Sequence, residues 1–164
     1  MGKRFTARRL AFQILYQADL NTLPVNDVYN DYLSIQDFKP KDKKLLDTLV
    51  YGAHEHLTAI DTIITEHCRD WSFERLNPVD RNILRLALYE LIFSDDSSVP
   101  KEVIITEAVE LANKYGTKES SGFVNGVLGA VSKEREHEKT TLTPSPSPSP
   151  SICPSGYSGN GRGG

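Results

Sequence analysis

The sequence predicts an all-α fold of about seven helices followed by a disordered C-terminal tail. Three observations carry that prediction. Apolar residues recur at three- and four-residue spacing through residues 1–137, and no segment keeps the two-residue alternation of a half-buried strand. The stretch Asn77 to Leu91, NPVDRNILRLALYEL, has a helix start written into it. Asn77 can accept from the free amides of the first turn, Pro78 loses nothing at the first helical position, and Asp80 meets the positive end of the helix dipole. Beyond these residues the helix is apolar nearly all round, as befits a central helix covered on most sides.

The other elements follow in order. A first helix, roughly Thr6 to Leu20, places Ala7, Ala11, Ile14, Leu15 and Ala18 on one face, with Phe12 and Tyr16 forming an aromatic stripe beside it. A short helix after Pro24 turns Val28, Tyr29, Tyr32 and Leu33 inward. A lysine-rich loop, Lys39 to Lys44, leads into a helix bearing Leu45, Leu46, Leu49, Val50 and Ala53. Thr58 and Asp61 read as a weak capping pair, so a separate helix carries Ile60, Ile63 and Ile64. Trp71 and Phe73 lie in the connection before the central helix, which is expected to span 77–93.

The sixth helix starts at Pro100, carries Val103, Ile104, Glu107, Ala108, Leu111, Ala112 and Tyr115, and stops at Gly116, expected to be left-handed. A polar turn, Thr117 to Ser121, opens the last helix with Phe123, Val124, Val127, Leu128 and Val131 inward. Gly122, Gly126 and Gly129 each weaken that helix by up to about 1 kcal/mol against alanine, so their spacing predicts a close approach by another helix or a ligand. The expected division is a helical domain over 1–137 and a Pro/Ser/Gly-rich tail over 138–164 that stays extended and disordered. A flexible tail and a frame artefact both fit its last residues.

Composition narrows the function classes. The 164 residues are 38% hydrophobic and 25% charged, enough for one globular domain or two small lobes sharing a core. A net charge of −3 rules out polyanion binding by bulk electrostatics, so any nucleic-acid contact requires a local basic patch. Lys3, Arg4, Arg8 and Arg9, with no acidic residue among the first nine, form such a patch or simply a solvated helix start. Two cysteines in unrelated settings and no long apolar run point to a reducing cytoplasm, with no signal peptide and no membrane span. His54 and His56 diverge on their helix, and Cys68 has no Cys-x-x-Cys partner, so no metal and no cofactor is expected. No phosphate loop or nucleophile elbow is present, and Ser120 and Ser121 have no evident base; the chain is not expected to be an enzyme.

Four motifs carry a resemblance: RRLAFQILYQ at 8–17, DRNILRLALYEL at 80–91, EAVELANKYG at 107–116 and FVNGVL at 123–128. In this order and spacing the chain resembles the NusB transcription antitermination family over roughly its first five-sixths. The resemblance implies two small helical bundles packed together with the 77–93 helix between them. It further implies binding of a single-stranded boxA element in nascent RNA through Lys3, Arg4, Arg8 and Arg9, together with Arg85, Glu119 and Phe123. Phe123 would offer a flat surface for an unstacked base, against the alternative of ordinary core. Where the arginine-richest members have further arginines, this chain has Phe5 and Thr6.

The implied protein partner is the small-subunit ribosomal protein also called NusE, contacted through Tyr16, Glu74, Arg75 and Asp80. Helix-start electrostatics would by itself account for Asp80. The implied function is recruitment of that pair to the elongating RNA polymerase complex and read-through of terminators, notably in ribosomal RNA operons. Some relatives self-associate, so a homodimer is a further expectation. Two other readings are a purely protein-binding helical adaptor and a stand-alone relative of the RNA-binding domain of ribosomal RNA cytosine methyltransferases. The second lacks any βαβ pattern or cofactor-binding glycine motif in this chain.

Overall fold

A computed structural model of the chain describes residues 3–35, 40–68, 73–96 and 98–140. Among these residues there are seven α-helices and no strand. Helix α1 (Lys3–Leu20) begins before the predicted Thr6; Phe5 is buried and, seven residues before Phe12, extends the aromatic stripe of Phe12 and Tyr16 toward the helix start. It ends where Leu23 N donates to Ala18 O at 2.9 Å around Thr22, whose φ of 53° is unusual for a β-branched residue. Helix α2 (Val25–Ile35) buries Val28 and Tyr29, with Tyr32 and Leu33 packed at its margin.

Helix α3 (Pro40–Glu55) absorbs most of the segment expected to be a lysine loop. Pro40 opens it, as proline does in a first turn, and the lysines that follow are helical. Helix α4 (Leu57–His67) is capped by His56 and not by a Thr58–Asp61 pair, and that cap has no side-chain hydrogen bond. The Thr58 carbonyl instead accepts from Thr62 Oγ1 at 3.0 Å, inside the helix. Trp71 lies outside the described residues, while Phe73–Arg75 form a single 3-10 turn.

Helix α5 (Pro78–Leu88) starts as predicted. The Asn77 side chain accepts from Val79 N at 2.9 Å, and Ile83, Leu84, Leu86, Ala87 and Leu88 are all buried. It does not continue regularly to residue 93. Tyr89–Phe93 form a π-helical turn closed by Ser94 N donating to Tyr89 O at 3.0 Å. There the Tyr89 ring lies so close to Gly52 of α3 that a Cβ at that position would run into it.

Helix α6 (Lys101–Tyr115) takes Pro100 as its N-cap and buries Ile104, Ala108, Leu111 and Ala112, whereas Val103 is exposed. Gly116 ends it in extended backbone, φ −95° and ψ −166°, and not in the left-handed region. Its glycine is required by space: a Cβ would press on the Ser120 side chain and come within 2.7 Å of Ala112 O. Helix α7 (Ser120–Thr140) runs past the expected boundary at residue 137. Its start resembles a capping box, with Thr117 N donating to Ser120 Oγ at 2.8 Å and Ser120 N donating to Thr117 O at 3.1 Å. Phe123, Val124, Val127, Leu128 and Val131 face the core as predicted. The three glycines do not serve close approach, since a Cβ at Gly122, Gly126 or Gly129 would meet nothing within 4 Å. The tail from residue 141 lies outside the described residues.

The helices form two bundles sharing one core. In the first, α1 packs on α2 and α3; in the second, α6 pairs with α7. Helix α5 lies between, touching α1 and α3 on one side and α6 and α7 on the other, while α4 packs against it. That position explains its burial on nearly every face.

Candidate nucleic-acid interface

Arg8 is one of four basic residues at the start of the chain, yet only 4% of it is exposed. Its guanidinium is held by two carboxylates. Nε donates to Glu90 Oε1 at 2.7 Å, Nη2 donates to Glu90 Oε2 at 2.7 Å, and Nη1 bonds Glu107. The π turn at the end of α5 brings Glu90 to α1, while α6 supplies Glu107. Burial works against the Arg8 charge, but the bonds and charges of Glu90 and Glu107 outweigh it and raise its pKa further. Burial also pushes Glu107 above the usual carboxylate range; Arg8 opposes that shift, and the nearby Glu90 charge adds to it. One guanidinium serves two acids, so every face of its fork is engaged.

A second network ties the other end of α1 to α5. Arg81 Nη2 and Asn82 Nδ2 donate to Asp19 Oδ2 at 2.7 and 3.0 Å. Arg85, also buried, grips Asp61 of α4 with Nε and Nη2 at 2.8 and 2.9 Å and donates to Asn82 Oδ1 at 3.2 Å. Burial opposes the Asp19 charge, yet hydrogen bonds from Arg81 and Asn82 and the charges of Arg81 and Arg85 hold its carboxyl below the ordinary range. A depressed carboxyl contributes stability that is present above its unfolded pKa and lost as pH falls through the folded value. The melting temperature should therefore fall as pH drops below about 4. Asp19→Asn should melt lower at neutral pH and lose less on acidification; parallel curves for the two proteins would show that Asp19 has no part in the acid response.

Other expected contacts are distributed unevenly. Lys3 and Arg4 open α1, with their side chains outside the described residues. Arg9 is half-buried, and Glu119 is exposed on the turn before α7, where its carboxylate accepts from Thr117 Oγ1 at 3.3 Å. Phe123 is 1% exposed and sits in the core, so its ring presents no open face for a base. Asp80 is fully buried, whereas Glu74 and Arg75 are exposed on the 3-10 turn and Tyr16 is half-buried against Phe12.

The structure also assembles a surface that sequence reasoning missed. Tyr115, read only as part of the α6 core stripe, is half-buried beside Phe12, with ring centroids 5.3 Å apart. Gln13 Nε2 donates to Tyr115 Oη at 3.2 Å, and Lys114 lies 5.6 Å from the Tyr115 ring centroid. Arg9 is one turn before Gln13 on α1, and Lys118 is exposed just beyond Gly116. Cationic side chains around a partly exposed aromatic ring form the usual surface for single-stranded nucleic acid. The only signal in the sequence was the Lys114–Tyr115 pair at a helix end, which has no meaning until α1 is placed beside it. Among the described residues no cluster of His, Cys, Asp or Glu could hold a metal, and no helix is long and apolar enough to cross a membrane.

Two helical bundles built around a buried central helix, with a basic and aromatic strip between α1 and α6, define an all-helical protein with a candidate binding face. The NusB family model matches residues 6–133. The transcription antitermination protein NusB of Solibacter usitatus is 45% identical over 136 residues, covering 82% of this chain and 91% of that protein. The NusB of Bacillus velezensis is 40% identical over 134 residues, covering 82% and 98%. Among solved structures, T. maritima NusB superimposes with a TM-score of 0.73 at 36% identity, covering 85% of this chain and 98% of that one. A chain in a crystal structure of the antitermination factors NusB and NusE with double-stranded RNA gives 0.70 at 33% identity, covering 82% and 98%. The chain belongs to the NusB family.

Proposed function

We propose that the chain is a transcription antitermination factor that binds boxA-type RNA together with NusE and carries that pair to the elongating RNA polymerase complex in the cytoplasm. Read-through of terminators, above all in ribosomal RNA operons, is the outcome. The observation that carries the reading is the match along 98% of a NusB-family chain found with NusE and RNA, at 33% identity. The surface strip on α1 and α6 supports it independently of that likeness.

The burial of Arg8, Arg85 and Phe123 supports a contact set drawn from the more accessible residues. Lys3, Arg4 and Arg9 contact phosphates, Tyr115 offers the stacking ring, and Lys114 and Lys118 border it, with Glu119 tuning the field by its charge. Arg8, Arg85 and Phe123 act from within, holding α1, α4, α5 and α7 in place. For NusE, Tyr16, Glu74 and Arg75 provide accessible contacts, and Asp80 shapes the start of α5 behind them. The test is fluorescence anisotropy of labelled boxA-type RNA against a scrambled control, at two salt concentrations, with and without NusE. Preference for boxA that NusE strengthens is the expected result. Equal weak binding to both RNAs with NusE present would leave a protein-binding adaptor.

A further inference from the structure

We infer that Lys43 and Lys44, in the opening turns of α3, form a second anion-binding face that takes phosphates of RNA flanking the element bound along α1. The inference rests on the RNA-binding reading above and enlarges its footprint.

Positive charge is concentrated in two short segments. Residues 1–9 carry +4 and residues 39–44 carry +3 in a chain of net −3, so the rest of the molecule carries −10. The fold brings the first turns of α1 and α3 to one end. The far ends of α1 and α3 meet, because Leu15, Ala18 and Asp19 share a groove of about 340 Å³ with His54 of α3 and Leu57 at the start of α4. Helix α2 confirms the direction: its first turn lies against the latter part of α3, where Tyr51 Oη donates to Asn26 Oδ1 at 2.6 Å. Helices α1 and α3 therefore run the same way, and at equal rise per residue Lys43 and Lys44 stand level with the first two turns of α1.

These lysines remain largely open to solvent. Lys43 is 46% exposed, and its ion pair with Asp47 at 3.1 Å is itself half in solvent, where such a pair contributes little. Its ammonium lies 5.9 Å from the Tyr29 ring centroid. Lys44 is exposed. Cations near a helix start oppose the dipole, and the exposed Lys43–Asp47 pair offsets little of that cost. With Arg8 enclosed by Glu90 and Glu107, exposed lysines at this end supply charge that it cannot.

The experiment compares two RNAs, a boxA-type element alone and the same element with single-stranded flanks of about ten nucleotides on each side. Full-length protein and the Lys43→Gln/Lys44→Gln variant are titrated by anisotropy across a salt series. The unaltered protein should bind the flanked RNA more tightly and with a steeper salt slope. The variant should lose that gain, its slope on flanked RNA falling by about 1.4 while the short element is unaffected, since each phosphate on a single strand contributes about 0.7. Equal binding of both RNAs by the unaltered protein would overturn the inference, as would an equal loss on both RNAs in the variant. Failure of the unaltered protein to bind either RNA would instead remove the RNA-binding reading, and this extension with it.

Discussion

Arg8→Ala should lower the stability of the fold by about 3–5 kcal/mol, because it strands Glu90 and Glu107 without their shared cation. For a domain of this size that is a fall in melting temperature of roughly 6–20 °C. Glu90 is nearly as buried as Arg8, so water cannot take the place of the guanidinium cheaply. The neighbouring Arg9→Ala is the control. Arg9 is half-buried with no such cage, and its loss should leave the melt within about 1 °C while flattening the salt dependence of RNA binding. An Arg8→Ala protein that melts normally and binds RNA poorly would reverse the assignment and return Arg8 to the surface strip.

The contrast between these adjacent arginines marks where sequence reasoning stopped. Features governed by nearest neighbours were legible. Asn77 and Pro78 announce a helix start through chemistry confined to one turn, and the inward faces of α1 and α7 follow from residue spacing alone. Gly116 was legible as a stop, although its cause is crowding by Ser120 and Ala112 and not a left-handed backbone. The glycines of α7 misled because spacing does not reveal whether a helix face is covered; this face is open. The lysines after residue 39 resembled a loop because charge opposes a helix start, yet Pro40 and the apolar run behind them extend the helix through them.

The site was less legible for a different reason. The partners that neutralise Arg8 lie 82 and 99 positions away, and those of Arg85 belong to α1 and α4. A list of basic residues cannot separate an arginine caged by acids from one facing solvent until the helices are packed. Tyr115 was hidden by the opposite error. Its place in an apolar stripe suggested full burial, whereas its ring reaches the margin of the core beside Gln13 and Lys114.

Phe123→Ala should be the other severe substitution, costing about 3–5 kcal/mol as the price of an emptied aromatic site in the core, and Phe123→Leu should recover most of that loss. The pair of variants separates two roles that the ring could have. A base-stacking ring fails in both proteins, because leucine has no π face, and the loss appears in RNA affinity while the melt hardly moves. A core ring fails in proportion to lost volume, and the loss appears in the melt while folded Phe123→Leu protein keeps its RNA affinity. Tyr115→Ala supplies the converse: its partly exposed ring predicts weaker RNA binding, by about 1–3 kcal/mol, with a smaller change in stability. Weak RNA binding by a stable Phe123→Leu protein would mean that α7 opens to expose the ring when RNA arrives. Retained binding would leave Tyr115 as the stacking surface and Phe123 as the residue that fixes α7 behind it.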